Sequence, residues 1–312
     1  MYKKFFMGIA AMAALTLVSC SSDDLDSLSD NSSKNEAISF DGYLGRSAVA
    51  VNGSRGSVLE NTQLQNSDKG FGVFGNYTYQ TSSTNLFYNQ QVTCKNSEWT
   101  YTPLRYWPTQ GHIDFLAYAP YDAGTKLTNT SIAFTVENKA ADQKDLLWAN
   151  ATNKTKENGT VKFQFAHALS RLGYSVKLNA AYSEATITLN KITLAGSADE
   201  ATKAFYTAGT IDLSKTSSTD LWTTSSTDAK QNFKWFSGTH DLGTTDYSNP
   251  ATDYLFVIPQ DFSITEPNAD ELYVIVEYTI EYNSGVKATV TNTVSSQITE
   301  VSQVNKYQLA CL

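Results

Sequence analysis

Three cysteines, three methionines, three histidines and six prolines are few for a chain of 312 residues. No Cys-x-x-Cys pair occurs, so neither a zinc clamp nor a redox dithiol is encoded. His112, His167 and His240 stand apart in the sequence. No His-Glu-x-x-His helix, Gly-x-Ser-x-Gly elbow or phosphate-binding glycine loop accompanies them. Two carboxylates that meet only in space would leave no linear trace. The chain is read as non-enzymatic, with no catalytic residue, no metal ligand and no cofactor assigned. Positive charge is also scarce: 23 Lys and Arg against 31 Asp and Glu give a net charge of −8. A polyanion such as nucleic acid is therefore not an expected partner. Helical periodicity is nearly missing, and no internal repeat of solenoid or propeller length is visible. After residue 18 no apolar run is long enough to span a bilayer.

What is present begins at the N-terminus. Lys3 and Lys4 open the chain, and an apolar run from Phe5 to Val18 follows, broken by Gly8 and Thr16. Ser19 then precedes Cys20. A charged start, a short apolar stretch and a small residue before Cys resemble a bacterial lipobox. Residues 1–19 are expected to be a signal peptide, with Cys20 as the lipid attachment site. Two or more acyl chains on that cysteine make a lasting anchor. Residues 20–36 form an acidic, Ser-rich stretch with few bulky side chains, expected to be a disordered tether. Asp23, Asp24 and Asp26 lack the spacing and glycine turn of a calcium loop.

Beyond the tether the palette is Tyr, Phe, Thr and Ser, which suits sheets. Alternation marks a long strand over Leu272–Tyr282, a turn at Asn283-Ser284-Gly285, and a returning strand from Val286. Ile187–Leu194 reads as a strand with a phase shift at Asn190-Lys191 that suits a bulge. Tyr254–Ile258 is a continuous apolar run closed by Pro259, as in a strand buried on both faces. Ile38-Ser39-Phe40 is a candidate first strand. One helical turn is expected at His167–Leu172 and another at Asp199–Phe205. The polar stretch Asn150–Gly159 suggests a boundary, dividing the chain into domains at 37–159 and 160–312. Cys94 and Cys311 are expected to remain unpaired.

Several segments, in order, resemble the fimbrillin family of lipoprotein pilus subunits from anaerobic Gram-negative bacteria. They are Phe71-Gly72-Val73-Phe74; Trp99-Thr100-Tyr101 with Tyr106-Trp107-Pro108; Ile113–Pro120; Asp145-Leu146-Leu147-Trp148-Ala149; Phe163–Leu172; and Val257-Ile258-Pro259-Gln260. The resemblance implies an all-β fold of two tandem transthyretin-like β-sandwich domains. It also implies assembly by strand exchange: a protease cuts after an Arg, the first strand leaves, and a strand from another subunit takes its place. Arg46 and Arg55 are the two candidates, and two solvated loop arginines are the plainer alternative. The acidic cluster behind Cys20 is similar to a surface-export signal of such bacteria. Asp26-Ser27-Leu28 resembles their O-glycosylation triplet, which makes Ser27 a candidate site. The expected location is the outer face of the outer membrane, and the fimbria itself. Expected partners are other fimbrial subunits, the outer membrane through the lipid, and host or bacterial surface ligands.

His167 is read as a hydrogen-bonded structural residue, and Arg171 as pairing with an acid or a carbonyl. Near its end the chain departs from the family pattern, offering Asn305-Lys306-Tyr307-Gln308-Leu309 and stopping at Leu312. A C-terminal donor strand is then expected to be short or missing, which leaves shaft, anchor and terminal roles open. The alternative to a fimbrial subunit is a stand-alone surface lipoprotein that binds glycan through Trp222, Trp235 and Tyr247. Core packing is the plainer reading of those three aromatics.

Overall fold

The computed structural model describes residues 36–44, 59, 61–218, 220–225, 229–248, 254–262, 271–295 and 300–301. Nearly all regular structure in them is β. The strands of the first part are β1 (Phe40–Leu44), β2 (Phe71–Tyr79), β3 (Ser82–Lys95), β4 (Glu98–Thr100), β5 (His112–Ala119), β6 (Leu127–Thr128), β7 (Ser131–Thr135), β8 (Leu147–Lys154) and β9 (Val161–His167). They are followed by β10 (Ser170–Leu172), β11 (Ser175–Val176), β12 (Ala185–Ala195), β13 (Phe205–Tyr206), β14 (Ala208–Asp212), β15 (Trp222–Thr223) and β16 (Lys230–Gln231). The last are β17 (Phe233–Asp241), β18 (Tyr247–Ser248), β19 (Leu255–Val257), β20 (Gln260–Asp261), β21 (Tyr273–Tyr282), β22 (Lys287–Ser295) and β23 (Glu300–Val301).

The largest sheet has seven strands in the order β1-β9-β8-β5-β2-β3-β4. Its middle strands carry unbroken apolar runs because both of their faces are covered. Val73, Phe115, Ala117, Leu147 and Ala149 enter one buried cluster. Their sequence neighbours Phe74, Leu116, Tyr118 and Trp148 enter the other. Successive side chains of one strand thus feed two cores.

The second cluster is closed by a sheet β17-β12-β21-β22 and a sheet β15-β14-β7-β6. Strand β12 slips register between Leu189 and Lys191 against both neighbours, the bulge anticipated at Asn190-Lys191. Asn190 Nδ2 donates to Thr279 Oγ1 at 2.7 Å across it. Strands β21 and β22 pair without a slip from Tyr273↔Ser295 to Glu281↔Lys287. Gly285 closes their turn at φ +85°, a conformation that favours glycine, and its N–H donates to Tyr282 O at 2.8 Å. Leu255, Phe256 and Val257 are all buried, as the apolar run implies.

Three expectations change. The boundary between 159 and 160 passes through the seven-stranded sheet, since β9 pairs with β1 on one side and β8 on the other. Phe163 and Phe165 therefore join the core of Phe71 and Phe115 and do not begin a new one. The polarity of Asn150–Gly159 belongs to the outer end of β8 and a 3-10 turn at Lys156–Asn158. The expected helical turn at 167–172 is extended chain, because Ser170–Leu172 pairs with Leu255–Val257. Residues 199–205 form a bend fastened by Asp199 Oδ1, which accepts from Ala201 N at 3.1 Å. The one α-helix among the described residues is α1 (Asn61–Asn66), anchored by buried Leu64.

Candidate functional site

Strand β1 is the feature that the rest of the first core is built around. It runs parallel to β9 from Phe40↔Val161 to Leu44↔Phe165. Its approach is held on the other side by the chain after β4. Ile38 N donates to Arg105 O at 2.8 Å, Trp107 N donates to Glu36 O at 3.2 Å, and Tyr101 Oη donates to Ile38 O at 2.8 Å. Burial pushes the Tyr101 phenol above its ordinary pKa, outweighing the opposing hydrogen bond and charge at Arg105. The segment therefore fills a slot with hydrogen-bonding backbone on both flanks.

Side-chain alternation fits that slot. Ile38, Phe40 and Gly42 are buried, while Tyr43 is exposed. Phe40 is 4% exposed. Its ring lies 5.3–5.7 Å from those of Tyr101, Phe87, Phe115 and Phe163. Gly42 sits where a Cβ would stand 3.0 Å from Phe71 Cε1 and 3.2 Å from Phe165 Cε2. The slot thus accepts a large, a large and a small residue at alternate positions.

Both ends of the adjoining 45–58 stretch are tied. Leu44 N lies 3.4 Å from Asn61 Oδ1. Leu59 N donates to Asp145 Oδ2 at 3.0 Å. The same oxygen takes His167 Nδ1 at 2.7 Å, and the Asp145 side chain is fully buried. Burial pulls the His167 pKa down, but the charge and hydrogen bond of Asp145 outweigh it, so the net shift is upward. His167 is the hydrogen-bonded residue that was anticipated. The guanidinium carbon of Arg171 lies 4.4 Å from the centre of the Tyr254 ring.

Cys20, Ser27, Arg46, Arg55 and Cys311 lie outside the described residues. Cys94 is a free, half-buried thiol whose pKa is raised by burial. The three glycan candidates are occupied in packing. Trp222 Nε1 donates to Ala168 O at 2.7 Å, Trp235 is buried against Tyr174, and Tyr247 stacks on His240 with ring centres 3.5 Å apart. His112 lies on β5, 3.7 Å from Asp114 Oδ2, so the three histidines serve three separate places. Sequence reasoning did not single out Asp145 or Gly42. For Asp145 the available signal was an acid leading a buried apolar run.

The described residues thus make an all-β fold in which the first described strand, β1, completes an aromatic core. The fimbrillin-like family profile matches residues 57–309, and the chain belongs to that family. It is 31% identical over 198 residues to the fimbrium subunit Fim1C of Phocaeicola vulgatus, covering 53% of this chain and 49% of that protein. The match thus spans about half the length of this curated relative. A fimbrial protein from Bacteroides vulgatus shares the fold with a TM-score of 0.58 at 20% identity, over 88% of this chain and 93% of that one. A candidate cell adhesion protein from Bacteroides ovatus aligns with a TM-score of 0.51 at 15% identity, over 89% and 92%.

Proposed function

We propose that this chain is a structural or accessory subunit of a cell-surface fimbria, exported as a lipoprotein through Cys20 and assembled by strand exchange. The observation that carries the reading is β1 itself. It is a short parallel strand, and its loss would uncover Phe71, Phe115, Phe163 and Phe165 together with unpaired backbone on β9. Such a slot is an acceptor for a strand of another subunit, with main-chain hydrogen bonds for affinity and side-chain pockets for register. The donor should carry bulky apolar residues at the positions of Ile38 and Phe40 and a small one at Gly42. Arg46 and Arg55 fall between the two tied ends, where a cut would free β1 and leave Leu59 fastened to Asp145. On this reading the two buried clusters correspond to the two tandem sandwiches, with β9 assigned to the first.

The test is the intact mass of the protein taken from the surface of its own cells. A species starting at Ser47 or Gly56 in the assembled fraction supports strand release. Assembled material that still starts at acylated Cys20 overturns it.

A further inference from the structure

The backbone of the segment that fills the first core pairs to two flanks in turn. Ser39 O accepts from Val161 N at 2.8 Å on the β9 side, and Phe40–Leu44 continue beside that strand. On the opposite side the chain after β4 supplies a short edge. Ala37 bridges to Tyr106, Trp107 N donates to Glu36 O at 3.2 Å, and Ile38 N donates to Arg105 O at 2.8 Å. The next carbonyl on that side, Ile38 O, is taken by a side chain: Tyr101 Oη donates to it at 2.8 Å. The same hydroxyl accepts from Arg105 N at 3.2 Å, and Arg105 O is a longer alternative for its proton at 3.3 Å. Its ring packs on Phe40 and Phe87, with centroids 5.3 and 5.6 Å away. Tyr101 thus extends the hydrogen bonding of this flank one group further along the slot.

We propose that Tyr101 is a positioning residue of the slot, its hydroxyl holding a backbone carbonyl of whichever strand fills it, a strand of another subunit included. This role rests on the strand-exchange reading and adds a backbone rule for the donor. A phenol hydroxyl binds a carbonyl without reading a side chain, so it serves β1 and a donor of different sequence alike. A slip of one residue would turn that carbonyl toward β9 and the bulky side chains to the outer face. A slip of two restores the carbonyl contact but spoils the side-chain fit. In one direction it sets a bulky residue at the place of Gly42, where a Cβ already stands 3.0 Å from Phe71 Cε1. In the other it leaves the Phe40 pocket unfilled. Tyr101 and Gly42 together therefore leave one register. Arg105 O takes the N–H at the Ile38 position, so the donor carries no proline there.

The test uses the full-length chain in detergent, with one site for a sequence-specific protease inserted between Arg46 and Arg55. After the cut, a fluorescent peptide of residues 36–44 is offered in excess, and its uptake and release are followed by anisotropy. Tyr101→Phe keeps the ring and removes the hydroxyl. It should release the peptide about five- to tenfold faster than the parent, the loss of one part-buried hydrogen bond. Tyr88→Phe, which removes an exposed phenol hydroxyl, should release it at the parental rate. A second pair of peptides separates positioning from general loosening. Both carry Ser39→Ala, and in one the amide joining Ile38 to that alanine is an ester, which makes the Ile38 carbonyl a weaker acceptor. The ester should leave the parent several-fold faster than the amide does, and that difference should shrink in Tyr101→Phe. Equal release from the parent and Tyr101→Phe, or an equal ester effect in both, would overturn the proposal. Should Tyr101→Phe fail to fold, the parent alone decides: an ester that leaves it no faster than the amide overturns the proposal as well. Peptide that none of the cut proteins takes up would overturn the strand-exchange reading itself, and this role with it.

Discussion

Replacing Phe40 by Ala is the sharpest probe of β1. The ring is 4% exposed and has four aromatic neighbours within 5.7 Å. Deleting it forfeits about 2 kcal/mol of transfer free energy. The remaining void, about 80 Å³ if the neighbours relax little, adds about 2 kcal/mol at roughly 24 cal/mol per Å³. The sum of about 4 kcal/mol lies within the usual range for such truncations. It is a large fraction of the roughly 5–15 kcal/mol that holds a domain together. Urea unfolding followed by tryptophan fluorescence would read it, since Trp99 and Trp107 pack on this core. With a slope near 3 kcal/mol per M, the midpoint should fall by about 1.3 M. Asp41→Asn, a neighbour on the outward face, should stay within about 0.5 kcal/mol of the parent. If β1 opens locally, Phe40→Ala should also raise its open population by up to roughly a thousandfold and speed proteolysis after Arg46 or Arg55. A loss under about 1 kcal/mol, with proteolysis unchanged, would refute the idea that β1 plugs the core.

Four further outcomes follow from the same packing. The His167 pKa is raised in the folded state, so the stability supplied by its charged form is fully present below pH about 6.5 and lost as pH rises through the higher folded value. Unfolding midpoints should therefore decline across that interval, and Asp145→Asn should remove the decline. Asp145→Ala strands both the Leu59 N–H and His167, and should cost about 3 kcal/mol or more in a denaturation midpoint. Gly72→Ala would place a Cβ 2.4 Å from Tyr118 Cε1, whose hydroxyl is fastened to Asn89 at 2.7 Å and Asp122 at 2.8 Å. The ring cannot simply swing away, so about 1–3 kcal/mol should be lost, measurable as a lower melting temperature. Trp222→Phe keeps the packing on Phe134 but loses the bond to Ala168, and about 1 kcal/mol of stability is the expected cost, read by the same melt.

Much of the architecture is legible in residue order because strands announce themselves locally. Val274, Val276 and Tyr278 alternate with a period of two, Gly285 marks the turn, and the phase slip at Asn190 marks the bulge. These features depend on backbone geometry within a few residues, and an isolated stretch of chain already encodes them. The lipobox-like start and the acidic composition are likewise local. Family membership, too, was readable from motifs such as Asp145–Ala149 and Phe163–Leu172.

What the order of residues did not decide was partnership. Phe163 alternates in the same way whether it opens one core or completes another. Only the pairing of β9 with β1 and β8 placed it beside Phe40 and Phe71. Ser170–Leu172 carried a helix-compatible pattern that Leu255–Val257 overrode by offering a buried edge. For Trp222 and Trp235 core packing was the plainer reading, and the fold shows how: the first is bonded to Ala168 O and the second is buried. Asp145 and Leu59 lie 86 positions apart, and no periodicity links them. Sequence by itself determined the fold class, the strands and the family, because those follow from short-range sterics and composition. Tertiary structure decided which strand plugs which core and which aromatics stay at the surface, because burial is settled between elements distant along the chain.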